Sequence, residues 1–164
     1  MTNQSIRQKV EEIKRKKITQ KKIVNLEEFR GLKVEIVAKT LLVVDDDEVM
    51  RAALKRILES AGYKVLLAED GLELSKVLEE TRLDMVLLDV NLPWVDGFEL
   101  CEMVKSHSVL KSVPLILVSG RTDEQDIELG LSAGADAYVT KPFEIDYMIN
   151  VISEAFQSKE LAPK

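Results

Sequence analysis

Five short apolar runs recur between residues 40 and 140, and a segment with helical periodicity follows each of them. The runs occupy residues 40–45, 64–68, 84–89, 113–119 and 136–140. After the first run, Met50, Leu54, Ile57 and Leu58 recur at the spacing of one helix face. Strands that alternate with helices form β-α-β units, whose right-handed crossovers build a parallel sheet. The pattern therefore predicts an α/β, doubly wound domain with a five-stranded parallel sheet.

Two of the runs, Leu41–Val44 and Met85–Leu88, are apolar at every position. A strand with one face in water would alternate apolar and polar residues, so both faces of these strands are predicted to be covered by helices. Local signals mark helix ends as well. Gly62 follows the first helix as a C-cap, and Thr122-Asp123-Glu124-Gln125 has the pattern of a capping box that opens the fourth helix.

The composition is that of an ordinary soluble chain. Its 164 residues are 46% apolar and 32% charged, enough for one domain with an appendage. The apolar runs are too short to span a bilayer, and the polar start lacks the apolar stretch of a secretory signal. The one cysteine, Cys101, cannot form an internal disulfide and is predicted to pack on a helix face. These features indicate a cytoplasmic location.

Charge is distributed unevenly along the chain. Residues 1–40 hold eleven Lys or Arg and five Glu, which gives a net charge of +6. The remaining residues hold twelve basic and twenty-four acidic side chains, which gives −12. Two parts of opposite sign suggest two different roles.

Polar side chains follow four of the five predicted strands, at the end where such sheets bind ligands. They are Asp45 and Asp46, Asp89, Ser119 and Lys141. Carboxylates on adjacent strands can share one cation, and an all-oxygen set with room for phosphate is typical of Mg²⁺. Taken singly, each residue has an ordinary interpretation, such as a helix N-cap for Asp46 or Asp47 and a surface charge for Lys141. Their occurrence together favours a Mg²⁺ site.

This set of residues suits phosphoryl transfer, which mainly needs positioning and charge neutralisation. Asp89 is the candidate nucleophile that would become an aspartyl phosphate. Mg²⁺ on Asp46, the Lys141 ammonium and the Ser119 hydroxyl would each neutralise one phosphoryl oxygen.

The motifs VVDDD, LLDVNLPWVDG, LVSG and YVTKPF, in this order and spacing, resemble those of a bacterial response-regulator receiver domain, similar to the single-domain chemotaxis regulator. The resemblance covers about residues 40–158 and implies the flavodoxin-like strand order 2-1-3-4-5. It implies Asp89 as the phosphoacceptor, and Asp45, Asp46, Asp89 and the backbone carbonyl of Asn91 as the Mg²⁺ site. It further implies that Ser119 and Tyr138 are switch residues, and that a cis bond joins Lys141 to Pro142. A half-buried strand tyrosine is an equally good local interpretation of Tyr138.

The resemblance implies a signalling protein of a two-component phosphorelay, not an enzyme beyond assisting its own phosphorylation and dephosphorylation. The phosphoryl group would come from a sensor histidine kinase or a phosphotransfer protein. It would alter the face formed by the fourth helix, fifth strand and fifth helix for a downstream protein target. Residues 159–164 form a short tail, so we expect a stand-alone regulator without a DNA-binding domain or transmembrane segment. A second copy of the chain, in a homodimer, is a further candidate partner. The alternatives are a phosphorylation-independent scaffold or adaptor that uses the basic N-terminal extension, and a magnesium-dependent phosphatase.

Residues 1–39 form a basic N-terminal extension outside the resemblance. Ile6, Val10 and Ile13 lie at helical spacing, residues 19–29 repeat the pattern, and residues 32–38 alternate as in a strand. Such a short helix must pack on something: the acidic domain, a second copy, a partner protein, or an anionic membrane or nucleic acid. A solvated, partly disordered extension is the other interpretation.

Two more residues lie near the predicted site. Arg121 and Asn91 flank the phosphate entrance, and we hypothesise that Arg121 influences how long the phosphate survives. Trp94, in the loop after Asp89, is either a contact surface for the phosphodonor or a loop-packing residue.

Overall fold

The computed structural model describes residues 37–161, in which five strands alternate with five helices. The strands are β1 (Thr40–Val44), β2 (Lys64–Ala68), β3 (Met85–Asp89), β4 (Leu115–Ser119) and β5 (Ala137–Thr140). The helices are α1 (Glu48–Ser60), α2 (Gly71–Glu80), α3 (Gly97–Ser106), α4 (Glu124–Ser132) and α5 (Ile145–Glu160). The predicted helical segments of the basic extension lie outside the described residues. So does most of its suggested strand, and Val37–Lys39 carry no regular structure.

The strands pair in parallel in the order β2-β1-β3-β4-β5, which confirms the predicted doubly wound sheet and its 2-1-3-4-5 order. The strand bounds differ from the predicted runs by at most two residues. The largest difference is at β4, which begins after Pro114. Proline has no N–H for a strand ladder, although the Pro114 carbonyl accepts a hydrogen bond from Val86 N at 2.9 Å.

The continuous apolarity of the central strands is explained by a hydrophobic cluster on each face of the sheet. Leu42, Val44, Val86 and Leu88 belong to the cluster that α2 and α3 cover. Leu41, Val43, Met85 and Leu87 belong to the opposite cluster, which α1 and α5 cover. Alternate residues of β1 and β3 thus enter opposite cores, and every residue of both strands is buried. This confirms that helices cover both faces.

Aspartates begin the first three helices. Asp47 accepts hydrogen bonds from Val49 N and Met50 N at the start of α1. Asp70 and Asp96 are the N-caps of α2 and α3, and each side chain accepts a hydrogen bond from a backbone N–H of its helix. The capping box predicted for α4 is wrong, because its N-cap is Asp123 rather than Thr122 and makes no side-chain capping bond. Glu124 and Asp126 in the first turn instead place negative charge near the positive end of the helix dipole.

Cys101 packs in the core as predicted. It lies on α3 with no exposed surface, and its Sγ is 3.6 Å from the carbonyl oxygen of Ala133. Burial raises the pKa of the thiol to about 11, which keeps it protonated at neutral pH. Across residues 37–161, no helix combines the length and apolarity required to cross a bilayer.

Candidate functional site

The predicted polar residues meet at one edge of the sheet because all five strands are parallel. Asp45 and Asp46 directly follow β1, Asp89 ends β3, Ser119 ends β4 and Lys141 follows β5. The register places Asp89 beside Val118 of β4, next to Ser119. Residues that lie far apart in the chain are thereby brought into one site.

Three carboxylates form the centre of this site. Asp45, Asp46 and Asp89 each offer an oxygen, and these oxygens lie within 4.8 Å of one another. Asp45 and Asp89 are buried, at 2% and 6% exposure, whereas Asp46 is exposed. The donors are all hard oxygens, open to solvent on one side, so the cluster fits an ion such as Mg²⁺ that retains part of its water shell.

The two adjacent acids differ in how strongly they are held. Asp45 accepts from Asp47 N at 2.8 Å through Oδ1 and from Lys141 Nζ at 2.8 Å through Oδ2. Its backbone carbonyl accepts from Arg51 Nη1 at 2.7 Å. Within residues 37–161, the Asp46 side chain has no hydrogen bond or ion pair. The Asp45 carboxylate is therefore oriented by the protein, and that of Asp46 is available to a ligand.

Lys141 provides the positive charge in the site. Its Nζ lies 2.8 Å from Asp45 Oδ2 and 3.6 Å from Asp89 Oδ1, so the ammonium bridges β1 and β3 from the end of β5. The peptide bond between Lys141 and Pro142 is cis, as the resemblance implied. One ammonium against three carboxylates leaves the cluster with an excess of negative charge, which favours a bound cation.

Asp89 is perturbed electrostatically by this arrangement. Burial raises the pKa of its carboxyl group; the Lys141 charge opposes that shift, and the charges of Asp45 and Asp46 add to it. Asn91 N lies 3.3 Å from Asp89 Oδ1 and also lowers the pKa. The net pKa is above that of an ordinary aspartate, as expected for a desolvated carboxylate among like charges.

Ser119 and Tyr138 are connected through the backbone of Arg121. The fully buried Ser119 Oγ accepts a hydrogen bond from Arg121 N at 3.1 Å. The Tyr138 hydroxyl donates to the Arg121 carbonyl oxygen at 2.9 Å. The tyrosine is half-buried, and its ring lies against Gly130 of α4, where an added Cβ would come within 2.9 Å of it. A displacement of Ser119 would therefore act on the backbone that holds Tyr138.

The Arg121 side chain extends over the entrance to the site. Its Nε donates to Asn91 Oδ1 at 2.8 Å, and its Nη1 lies 3.8 Å from Asp126 Oδ1. The guanidinium is 5.4 Å from the centre of the Phe98 ring. A cavity of about 570 Å³ opens here, lined in part by Asp46, Asn91, Trp94 and Arg121. The side chain of Asn91 is thus held by Arg121.

Trp94 makes the contacts of a loop-packing residue while it also lines this cavity. Its indole Nε1 donates to the Glu69 carbonyl oxygen at 3.2 Å, and its ring lies against Gly71. The side chain keeps 36% of its surface exposed. These contacts support the interpretation of Trp94 as a loop-packing residue, and contact with a phosphodonor stays a prediction.

Sequence reasoning missed Arg51 and Glu69. Arg51 is only 9% exposed, and besides the Asp45 carbonyl it binds Glu69 Oε2 at 2.7 Å. A signal was present in the sequence, because Arg51, Leu54 and Leu58 lie at helical spacing and form the buried stripe of α1. An arginine in such a stripe needs buried acceptors.

Comparison with known proteins agrees with this geometry. The family model of the response regulator receiver domain matches residues 41–153. Transcriptional regulatory protein AfsQ1 of Streptomyces coelicolor is 41% identical over 105 residues, which are 64% of this chain and 45% of that protein. The chain therefore spans about half the length of the curated relatives it matches.

Solved structures match over most of their own length. The signal receiver domain of a signal transduction histidine kinase from Syntrophus aciditrophicus has a TM-score of 0.69 and 30% identity, covering 77% of this chain and 96% of that one. The receiver domain of a sensor histidine kinase from Pseudomonas aeruginosa, which has a magnesium ion coordinated in its active site cleft, has a TM-score of 0.66 and 28% identity. It covers 73% of this chain and 98% of that one. With the strand order, the acidic cluster and the family match in agreement, this chain belongs to the response regulator receiver domain family and carries the receiver domain of a two-component response regulator.

Proposed function

We propose that Asp89 is the phosphoacceptor of this receiver domain, and that a histidine kinase or a phosphotransfer protein supplies the phosphoryl group. The main support is the placement of Asp89, whose carboxylate lies between two other carboxylates and the Lys141 ammonium, beside a solvent-open cavity. A buried acid among like charges is unfavourable for folding, so its presence at this edge indicates a functional requirement.

In the proposed reaction, one carboxylate oxygen of Asp89 attacks the phosphorus of a phosphohistidine. A P–O bond forms, the P–N bond breaks, and the imidazole leaves with the electron pair. Lys141, already 3.6 Å from Asp89, would move from neutralising the carboxylate to neutralising a phosphoryl oxygen.

Asp45, Asp46, Asp89 and the backbone carbonyl of Asn91 would hold the magnesium ion. When bound, the ion supplies positive charge that neutralises phosphoryl oxygens during transfer. Asp46 has the most available carboxylate, and Asp45 is kept in place by Lys141 and the Asp47 amide. The protein thus contributes the carboxylate of Asp45, which is fixed in orientation, and that of Asp46, which can reorient toward the ion.

Ser119 and Tyr138 would convert phosphorylation into a change of surface. A phosphoryl group on Asp89 would attract the Ser119 hydroxyl, which is bonded to Arg121 N in this structure. Loss of that bond would free the backbone that accepts from Tyr138. The ring could then change position beside α4, which alters the face formed by α4, β5 and α5 for a protein target.

The output of the whole protein is also a proposal. The expectation of a stand-alone regulator stays a prediction, because the curated relatives are about twice as long as the shared segment and AfsQ1 is named a transcriptional regulatory protein. Homodimerisation, cytoplasmic location and partner binding by the basic extension also stay predictions. The phosphorylation-independent scaffold is the alternative, and the acidic cluster argues against it because a scaffold has no need of three adjacent carboxylates.

Incubation of the full chain with acetyl phosphate and Mg²⁺, followed by intact mass measurement, tests the proposal. We expect one labile phosphoryl group on the wild type, none on Asp89→Asn, and one on the control Glu48→Gln, which changes an exposed acid near the site. An unmodified wild type would favour the scaffold. Turnover of an unrelated phosphoester would favour a phosphatase.

A further inference from the structure

The loop after β2 contributes no carboxylate to the acidic cluster, yet one of its residues is connected to it. Glu69 Oε2 accepts from Arg51 Nη2 at 2.7 Å, while Arg51 Nη1 donates to the carbonyl oxygen of Asp45 at 2.7 Å. The Arg51 side chain is 11% exposed and that of Glu69 is 54% exposed. A largely buried guanidinium therefore joins Glu69 to a residue of the cluster.

Glu69 also contacts the loop that follows Asp89. Its carbonyl oxygen accepts from Trp94 Nε1 at 3.2 Å, and its N–H donates to Glu73 Oε2 at 2.9 Å. The Trp94 ring covers Gly71, the first residue of α2. Glu69 is thus bonded to the loop after β1 through Arg51 and to the loop after β3 through Trp94. These are the two loops that carry Asp46 and Asn91.

The Arg51 bond acts on the orientation of Asp45. Each of the three oxygens of Asp45 accepts a hydrogen bond, and that from Arg51 holds the backbone. A buried guanidinium that loses one of its acceptors must find another or draw in water. Loss of Glu69 would therefore disturb the relative positions of Asp45 and Asp46.

We propose that Arg51 and Glu69 form a brace that positions the acidic cluster for a divalent cation. Glu69 is a positioning residue, because it is not among the three acids whose oxygens lie close enough to share an ion. This inference rests on the proposed function, in which the cluster binds Mg²⁺. Residues that orient metal ligands typically change metal affinity by roughly 10- to 100-fold when they are removed.

The test is a Mg²⁺ titration of the full chain, followed by the fluorescence of Trp94 and by calorimetry. Glu69→Ala is expected to weaken Mg²⁺ binding by roughly tenfold, at the lower end of that range because the carboxylate is half-exposed. Glu69→Gln keeps an oxygen that can accept from Arg51. Its affinity should match that of Glu48→Ala, which also removes one exposed negative charge from this edge.

The possible outcomes separate the two proposals. Equal Mg²⁺ affinities of Glu69→Ala and Glu48→Ala, with tight binding by the wild type, would overturn the brace and leave the proposed function intact. No Mg²⁺ binding by the wild type would overturn both the brace and the proposed metal site. If Glu69→Ala does not fold, Arg51→Lys keeps the positive charge but has one donor nitrogen in place of the two that bond the Asp45 carbonyl and Glu69. An unchanged calorimetric affinity of that variant would overturn the brace.

Discussion

The ionised form of Asp89 is energetically unfavourable at the position that the fold gives it. Its carboxylate is buried at the end of β3, within reach of two other carboxylates, and these surroundings raise its pKa. A raised pKa means that the folded state opposes ionisation, so the charged form at neutral pH lowers the free energy of unfolding. The site therefore reduces stability in the absence of a cation.

We expect Asp89→Asn to raise the free energy of unfolding at pH 7 in magnesium-free buffer by on the order of 1 kcal/mol. The stability that Asp89 contributes is fully present below the ordinary pKa of 3.8 and is lost as the pH rises through the raised value of the folded state. The difference in free energy of unfolding between Asp89→Asn and the wild type should accordingly become smaller as the pH falls toward 3.8. Urea denaturation at several pH values measures this, and a wild type more stable than the variant at pH 7 would contradict it.

Gly97 matters because the backbone of α3 begins directly against the end of β3. A Cβ at Gly97 would lie 2.4 Å from Val90 Cα and 2.6 Å from the carbonyl oxygen of Asp89. Gly97→Ala is therefore expected to cost about 1–3 kcal/mol of stability, as overpacking does. Gly120→Ala is the matched control, because a Cβ there meets nothing within 4 Å. Similar melting temperatures for the two variants would show that the backbone at Gly97 can move.

Arg121 covers the entrance to Asp89 through its bond to Asn91. We expect Arg121→Ala to shorten the half-life of the aspartyl phosphate by up to about tenfold, the equivalent of losing roughly one charge-assisted hydrogen bond. Water would then reach the phosphoryl group more easily. The half-life is measured after removal of acetyl phosphate, with Arg56→Ala on α1 as a charge control. An unchanged half-life would refute the hypothesis.

At the scale of the elements, an ion-pair cluster joins α3, α5 and the sheet at the edge opposite the site. Asp136, just before β5, accepts from Lys105 Nζ at 2.6 Å, from Leu115 N at 2.8 Å and from Lys159 Nζ at 3.0 Å. Burial would raise the pKa of Asp136, but these hydrogen bonds outweigh it and lower the pKa. Two helices and two strands are thus held by one carboxylate.

We expect Asp136→Ala to cost about 1–3 kcal/mol of stability at pH 7, since Leu115 N and the Lys159 ammonium lose their acceptor and Lys105 keeps only the Val113 carbonyl. A lowered pKa contributes stability above the ordinary value of 3.8 that is lost as the pH falls through the folded value. The difference between wild type and variant should therefore diminish below about pH 4. Lys55→Ala, which breaks the exposed pair with Glu59, should cost less than about 0.5 kcal/mol. Equal costs would contradict this assignment.

The elements themselves were predictable because their signals are local. Continuous apolarity in β1 and β3 reflects helices on both faces, and the strand bounds follow from it. The start of α4 was not predictable from its capping-box pattern, since Asp123 and Thr122 are both acceptable N-cap residue types. Arg51 was overlooked for a similar reason. Its acceptors, the Asp45 carbonyl and the Glu69 carboxylate, come from two different loops, and the sequence does not show that these loops meet.

For the whole molecule, we expect Mg²⁺ to raise thermal stability, because a ligand that binds only the folded state stabilises it by mass action. The gain is about 2.7 kcal/mol at a free concentration one hundred times the dissociation constant. Asp46→Asn should abolish the Mg²⁺-dependent rise in melting temperature yet fold normally, since Asp46 is exposed. Glu48→Gln should retain the rise. A melting temperature of the wild type that does not respond to Mg²⁺ or to its chelation would argue against the metal site.

The pattern of residues along the chain is enough to predict the alternation of strands and helices, the edge at which the strands end, and the polar residues at that edge. These follow from periodicity and from the parallel arrangement, which act on each segment separately. The packed structure was needed to show that Asp45 is held while Asp46 is available, that Arg121 extends over the entrance, and that Glu69 reaches the acidic cluster through Arg51. Each of these depends on a distance between side chains of different loops, and such distances are established only when the helices pack against the sheet.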